Sequence, residues 1–207
     1  MLDRTRQLWD KQHRSVGDRL PLFEAVARAI EATTVLYPGS YVDVSPAFVC
    51  PSVTFVDVDR RADRFFRDAA GVAELVAEHR DGPAATIRWI HGDYQQPLDL
   101  HEGSFDLIVS LYAGFISEHC TQYLRIGGHL LVNSSHGDAA MASIDPRYRL
   151  AGVVIAGGGR YRVTATDLET YLVPKREVEV TRESLHQSGR GVAYTRSPFA
   201  YLFERVR

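Results

Sequence analysis

Carboxylates stand at the ends of two short apolar runs in this chain. Asp57 closes Val53-Thr-Phe-Val-Asp57, and Asp93 follows Thr86–His91 after a single glycine, Gly92. One carboxylate can accept two donors at once, so each position suits ligand binding. A third apolar run ends Ser110-Leu-Tyr-Ala-Gly114, where the Tyr112 hydroxyl is placed to orient a substrate. A further segment, Asn133-Ser-Ser-His-Gly-Asp138, holds the histidine best placed to move a proton near neutral pH, His136. Asp138 is the residue to orient it, and Ser134 or Ser135 can donate hydrogen bonds; the same stretch also reads as a polar loop before a helix. A hydrolase triad is a weak reading of these residues. No Gly-x-Ser-x-Gly elbow occurs, and adjacency in sequence does not create triad geometry. Cys50 and Cys120 are the only cysteines, and neither has a zinc-ligand spacing, so no metal site is expected.

The elements that must position these groups follow from hydrophobic periodicity. With 207 residues, 45% of them hydrophobic and 24% charged, the composition is that of one globular domain, here with a small N-terminal helical cap over residues 1–32. Phe23, Val26, Ala27 and Ile30 fall at helical spacing, which predicts a helix over 3–32 with Pro21 near the start of its apolar run. Strands are predicted at 33–37, 53–57, 86–91, 105–111 and 129–133. Asp59 is placed to cap a helix carrying Ala62, Phe65, Phe66 and Ala69, which breaks near Gly71 and resumes through Leu75 and Val76. A helix starts at Ala113, and 125–128 reads as a turn before the fifth strand. The alternation of strands and helices predicts an α/β fold, a doubly wound, mostly parallel sheet with helices on both faces. Beyond Ser134 the rhythm changes: Arg149–Ile155 and Arg160–Thr164 flank Gly157-Gly-Gly159 as a hairpin, Thr166-Asp-Leu-Glu169 reads as a capping box, and Phe199–Val206 is a last strand. The tail thus supplies an antiparallel C-terminal strand pair.

The run from Thr86 to Tyr112 resembles the third and fourth motifs of class I S-adenosylmethionine (SAM)-dependent methyltransferases. The resemblance rests on His91-Gly-Asp93-Tyr94 and on Gly103-Ser-Phe-Asp-Leu-Ile-Val-Ser110. It covers roughly residues 33–135 together with the order of the tail. It implies SAM as cofactor, with Tyr37, Gly39, Asp57, Val58, Gly92, Asp93, Tyr94, Ser110 and Leu111 around it. Asp57 would take the ribose hydroxyls, with Asp59 as the alternative, and Asp93 the adenine amino group. The first motif departs from the family. Aligned on Gly39, Tyr37 stands at the usual acidic place, and Tyr41 and Asp43 stand where later glycines belong. The segment Val44–Cys50 contains Pro46, so the helix that should follow is reduced to a turn or two.

The resemblance implies methyl transfer to a small molecule, with His136 and then Tyr112 as catalytic candidates. No Asn/Asp-Pro-Pro-aromatic motif follows the fourth strand, so base amino groups and glutamine side chains are disfavoured acceptors. Two alternatives keep the fold: a non-methylating use of SAM or another nucleoside ligand, and a non-catalytic binding or assembly domain. A NAD dehydrogenase lacks its Gly-x-Gly-x-x-Gly, and a nucleoside triphosphatase lacks its Gly-Lys-Ser/Thr. A net charge of −2 gives no overall basic field for nucleic acid, and no run is long enough to span a membrane. The charged N-terminus is unlike a signal peptide, and a reducing cytoplasmic setting is expected.

Overall fold

The computed structural model describes residues 1–207. Its elements are α1 (Asp3–Val16), α2 (Leu20–Ile30), β1 (Thr34–Pro38), β2 (Ser52–Asp57), α3 (Arg60–Phe66), α4 (Ala69–Ala77), β3 (Thr86–His91), β4 (Phe105–Ser110), α5 (Ile116–Cys120), β5 (Leu124–Val132), α6 (Asp138–Ile144), β6 (Tyr148–Gly157), β7 (Arg160–Thr164), α7 (Arg182–Ser188) and β8 (Ala200–Arg205). One eight-stranded sheet runs in the order β3-β2-β1-β4-β5-β8-β6-β7. The first five strands are parallel, and β8 inserts antiparallel between β5 and β6. This is the α/β architecture that the alternating apolar runs predict.

Strand pleating divides the core into two. Val35 and Tyr37 of β1 face one layer, and Leu36 between them faces the other. The first layer holds Phe55 of β2, Phe65 and Phe66 of α3, Leu75 of α4, Phe23 of α2 and Trp9 of α1. The second holds Ile108 of β4 with Ile116 of α5, Met141 of α6 and Leu185 of α7. Residues 1–32 therefore share a core with the sheet.

Several boundaries differ from the periodicity reading. The helix expected over 3–32 is two helices, because Gly17 turns to φ 77° and the Asp18 side chain accepts the Leu20 N–H, starting a new helix. The break expected near Gly71 falls earlier, at Arg67-Asp68, where Asp68 caps α4 by accepting from Gly71 N. The turn expected at 125–128 belongs to β5, with an irregular register opposite Phe105 and Leu107. The helix expected from Ala113 begins only at Ile116. The capping box expected at Thr166 does not form, since Asp167 adopts φ 53° and accepts no capping bond; the box that does form joins Thr181 and Ser184 at the start of α7. The glycine-rich hairpin is present: Gly158 and Gly159, at φ 59° and 73°, turn β6 into β7.

Between β1 and β2 the chain makes only a 3-10 turn, Ser45–Phe48, as Pro46 in that short segment predicts. The helix that usually crosses here is replaced by α2, which packs against this turn and against β7. At the other end of β1, Asp106 clasps the sheet. One of its oxygens accepts from the backbone N–H and hydroxyl of both Thr33 and Thr34, and the other accepts from Arg125 Nε at 2.7 Å. Burial alone would raise this carboxyl, but the Arg125 and threonine hydrogen bonds hold it well below the ordinary carboxylate range.

Asp106→Ala is expected to lower the unfolding free energy by about 2 kcal/mol, read by urea denaturation at neutral pH. Because the folded carboxyl is held below its unfolded value, this stabilisation is fully present above about pH 4 and is lost as pH falls through the folded value. The difference between wild type and variant should therefore shrink on strong acidification.

Candidate functional site

In an open α/β sheet, ligands bind outside the carboxyl ends of the strands where the strand order reverses. Here β1 pairs with β2 on one side and β4 on the other, so the reversal lies at the ends of β1 and β4. A cavity of about 410 Å³ opens at that point. Its walls include Tyr37, Gly39 and Tyr41 from the end of β1, Leu111 and Tyr112 from the end of β4, and Arg19 from the start of α2. Gln12, Ser15 and Val16 of α1 form the opposite rim.

The β1 end is built around a buried charge cluster. Arg19 Nη1 donates to Asp43 Oδ2 at 2.6 Å and to the Tyr37 hydroxyl at 3.0 Å; that hydroxyl lies 3.1 Å from the same Asp43 oxygen. The other Asp43 oxygen accepts from the backbone N–H and hydroxyl of Ser45. Burial opposes the Arg19 charge, yet Tyr37, Asp43 and Tyr112 around it raise its pKa above the usual value. Burial pushes the Tyr37 phenol well above its ordinary value, with Asp43 adding to the shift. Only Nη1 of Arg19 is engaged by the protein, so Nε and Nη2 remain for a ligand. The Arg19 guanidinium also sits 5.7 Å from the Tyr112 ring centroid.

Backbone strain gathers at the same edge. Tyr41, Tyr112 and His136, which follow β1, β4 and β5, adopt φ 49°, 65° and 59°. Non-glycine residues seldom hold such angles, and they tend to be functional where they occur. Gly39 also has positive φ, 66°, and a Cβ there would lie 2.4 Å from the Ala113 Cβ. Its missing side chain brings the β1 loop against the β4 loop.

The remaining predicted residues are placed as follows. Asp57 accepts the Tyr41 N–H and the Asp59 N–H, each at 2.8 Å, so it ties the first loop to the end of β2. Asp59 caps α3 by accepting from Arg61 N. Val58 is 60% exposed, and its carbonyl meets His91 Nε2. Gly92 N–H donates to Asp57 O. Asp93 is exposed and accepts the Gln95 N–H. The Tyr94 hydroxyl donates to Ala113 O at 2.6 Å, bridging the third and fourth strand ends. Tyr37, Gly39, Leu111 and Tyr112 thus share the cavity, and Asp57 touches it through Tyr41. Val58, Gly92, Asp93, Tyr94, Ser110 and His136 do not line it.

His136 is exposed, and its Nδ1 pairs with Ser135 Oγ. Asp138 does not orient it. That carboxylate is buried and accepts from Ser110 Oγ, Ser117 Oγ and Ser117 N, so it joins the end of β4 to α5. Burial raises Asp138 to about 6, against the lowering effect of the serine hydrogen bonds. Sequence reasoning missed Arg19, Gln12 and Ser15 altogether. They come from α1 and the residue before α2, outside the strand-end loops, and no local pattern marks them. Arg19 had one indirect signal, the Tyr37 and Asp43 pair standing where the family shows an acid and a glycine.

No protein-family model and no curated protein matches the sequence. Solved structures do match the fold. An O-methyltransferase from Bacillus cereus in complex with SAH aligns with a TM-score of 0.51 at 12% identity, covering 79% of this chain and 89% of that one. A methyltransferase from Geobacter sulfurreducens aligns at 0.47 and 15% identity, covering 79% and 90%. The chain has the class I methyltransferase-like Rossmann fold.

The Asp138 carboxyl, observed by NMR, should titrate near pH 6. Its folded pKa is raised, so its contribution to stability is greatest below about pH 4 and declines as pH rises through about 6. Asp138→Asn should remove that slope from the melting temperature measured between pH 4 and 7.

Proposed function

We propose that the chain is a SAM-dependent methyltransferase acting on a small molecule, with the cofactor held in the strand-end cavity. The observation that supports this most is the cavity's position, at the strand-order reversal and between the strained loops after β1 and β4. The donor set suits the cofactor. The free edge of Arg19 would take its carboxylate by a charge-assisted pair. Asp57 retains lone pairs for ribose hydroxyls beyond the two backbone donors it already accepts. Gly92, Asp93 and Tyr94, with Val58, would frame the base, and Ser110 and Leu111 the sulfonium end. When bound, SAM supplies an electrophilic methyl group.

The protein's own task is then positioning and exclusion of water. Tyr112 stands at the mouth of the cavity, where its hydroxyl can orient the acceptor. His136 has Nε2 free of protein partners and would receive the acceptor's proton when the nucleophile arrives protonated. Helix α1 contributes Gln12, Ser15 and Val16 to the cavity wall, which supports a small-molecule acceptor. Both cysteines are free and buried, which suits the reducing cytoplasm.

One observation favours a second reading. Asp57 and Asp93 already accept backbone N–H groups of their own loops, and they do not converge on the cavity. That arrangement suits a binding or assembly domain, or a non-methylating use of SAM or another nucleoside ligand.

Calorimetry with SAM and S-adenosylhomocysteine separates cofactor binding from a binding or assembly domain or another nucleoside ligand, and turnover of an accepted substrate separates methyl transfer from a non-methylating use of SAM. Methyltransferase chemistry calls for dissociation constants of the order of micromolar, with Asp57→Ala weakening binding at least about tenfold. With an accepted substrate, His136→Ala should keep cofactor affinity and lose about 100-fold in turnover. Folded wild type that gives no binding heat at millimolar ligand would transfer the assignment to a binding or assembly domain or to a different nucleoside ligand.

A further inference from the structure

A second cleft, of about 340 Å³, lies between α1 and α3. Arg4 and Lys11 reach it from α1, Arg61 and Arg64 from α3, and Leu8 and Phe65 form its apolar base. No carboxylate lines it. Arg61 is engaged, pairing with Asp59 and lying 5.2 Å from the Tyr41 ring centroid. Arg4, Lys11 and Arg64 have no carboxylate within ion-pair distance, and the only side-chain bond of Arg64 goes to a backbone carbonyl. Two other arginines, one on α1 and one just after α3, do have acidic partners. Arg6 pairs with Glu78 and Arg67 with Asp63. Arg4, Lys11 and Arg64 thus bring unneutralised charge to a cleft that no carboxylate lines, in a chain whose net charge is −2.

Like charges gathered over a partly apolar surface repel one another until an anion neutralises them. Cations arriving from two helices suit a tetrahedral oxyanion, whose oxygens point to several donors at once. A carboxylate presents two coplanar oxygens and matches a single guanidinium. We infer that the α1–α3 cleft binds a small organic molecule through a phosphate group, with Leu8 and Phe65 beneath its carbon portion. This site stands independently of the proposed methyltransferase activity. The two are physically connected, because Leu8, Lys11 and Arg61 also wall an intermediate cavity of about 250 Å³. That cavity shares Gln12, Ser15 and Tyr41 with the strand-end cavity. One face of α1 therefore borders both ligands, and an anion bridging α1 to α3 holds that helix over the strand ends.

Calorimetry with inorganic pyrophosphate tests the assignment on the full chain. Saturable binding below about 1 mM at moderate salt is expected, at least about tenfold weaker in the Arg4→Ala/Arg64→Ala double variant. Both arginines are exposed and free of acidic partners, so the variant should keep the wild-type melting temperature. Asp57→Ala should bind pyrophosphate as wild type does even where it no longer binds S-adenosylhomocysteine, which separates failure of this site from failure of the other. Binding that does not saturate by about 10 mM, or that survives the double variant unchanged, would overturn the proposal. Citrate binding as tightly as pyrophosphate would overturn the choice of phosphate.

Discussion

The buried ion pair between Arg19 and Asp43 is the constraint on which the rest of the site depends. Both side chains are under 10% exposed, and neither charge could be left there alone without a penalty of several kcal/mol. The pair fixes three things at once. It anchors the start of α2 over the end of β1, it holds the Gly39–Asp43 loop in a tight fold, and it orders the Tyr37 hydroxyl between them. With α2 committed to this place, the crossover from β1 to β2 needs no long helix, and a 3-10 turn suffices. The cavity is what remains between this loop, the β4 end and the rim of α1.

The loops at the strand ends are tied to one another as much as to any ligand. Asp57 secures Tyr41, Gly92 N–H bonds to Asp57 O, and the Tyr94 hydroxyl bonds to Ala113 O. Gly39 and Ala113 touch because the glycine lacks a Cβ. These bonds order the ends of β1 to β4 before anything binds, and they sustain positive φ at Tyr41 and Tyr112 that an isolated loop would relax. A site held so tightly binds with little reorganisation. It also leaves less room than a glycine-rich loop would.

Charge is distributed unevenly over this framework. Some surface arginines are paired, as Arg147 is with Asp145 and Arg149 with Glu204. Asp68, the cap of α4, also holds the start of α1 by accepting from Leu2 N–H and the Thr5 hydroxyl, and Glu74 receives the terminal amine. The acids at α4 thus dock α1, whereas the side of α1 that lines the cleft with α3 presents Arg4 and Lys11 and no carboxylate. The opposing faces of α1 are consequently specialised, one for attachment and one for a ligand.

Local sequence determined the strands and their order of appearance, because each is a short apolar run bounded by turn residues. It also determined the Asp59 cap, the shortened crossover at Pro46 and the Gly158-Gly159 turn, all of which are governed by residues within a few positions of one another. The division of the N-terminal helix was not legible, since Gly17 and Asp18 within an otherwise helical pattern compete with it only weakly. The tertiary structure alone decided which side chains meet. Arg19 and Asp43 are 24 positions apart, Ser110 and Asp138 28, and Thr33 and Asp106 73. His136 and Asp138, two positions apart, diverge because the carboxylate is drawn into the core by Ser110 and Ser117 while the imidazole stays at the surface. Periodicity reports which face of an element is buried; the partners on that face are set by sheet order and helix packing, which no single segment encodes.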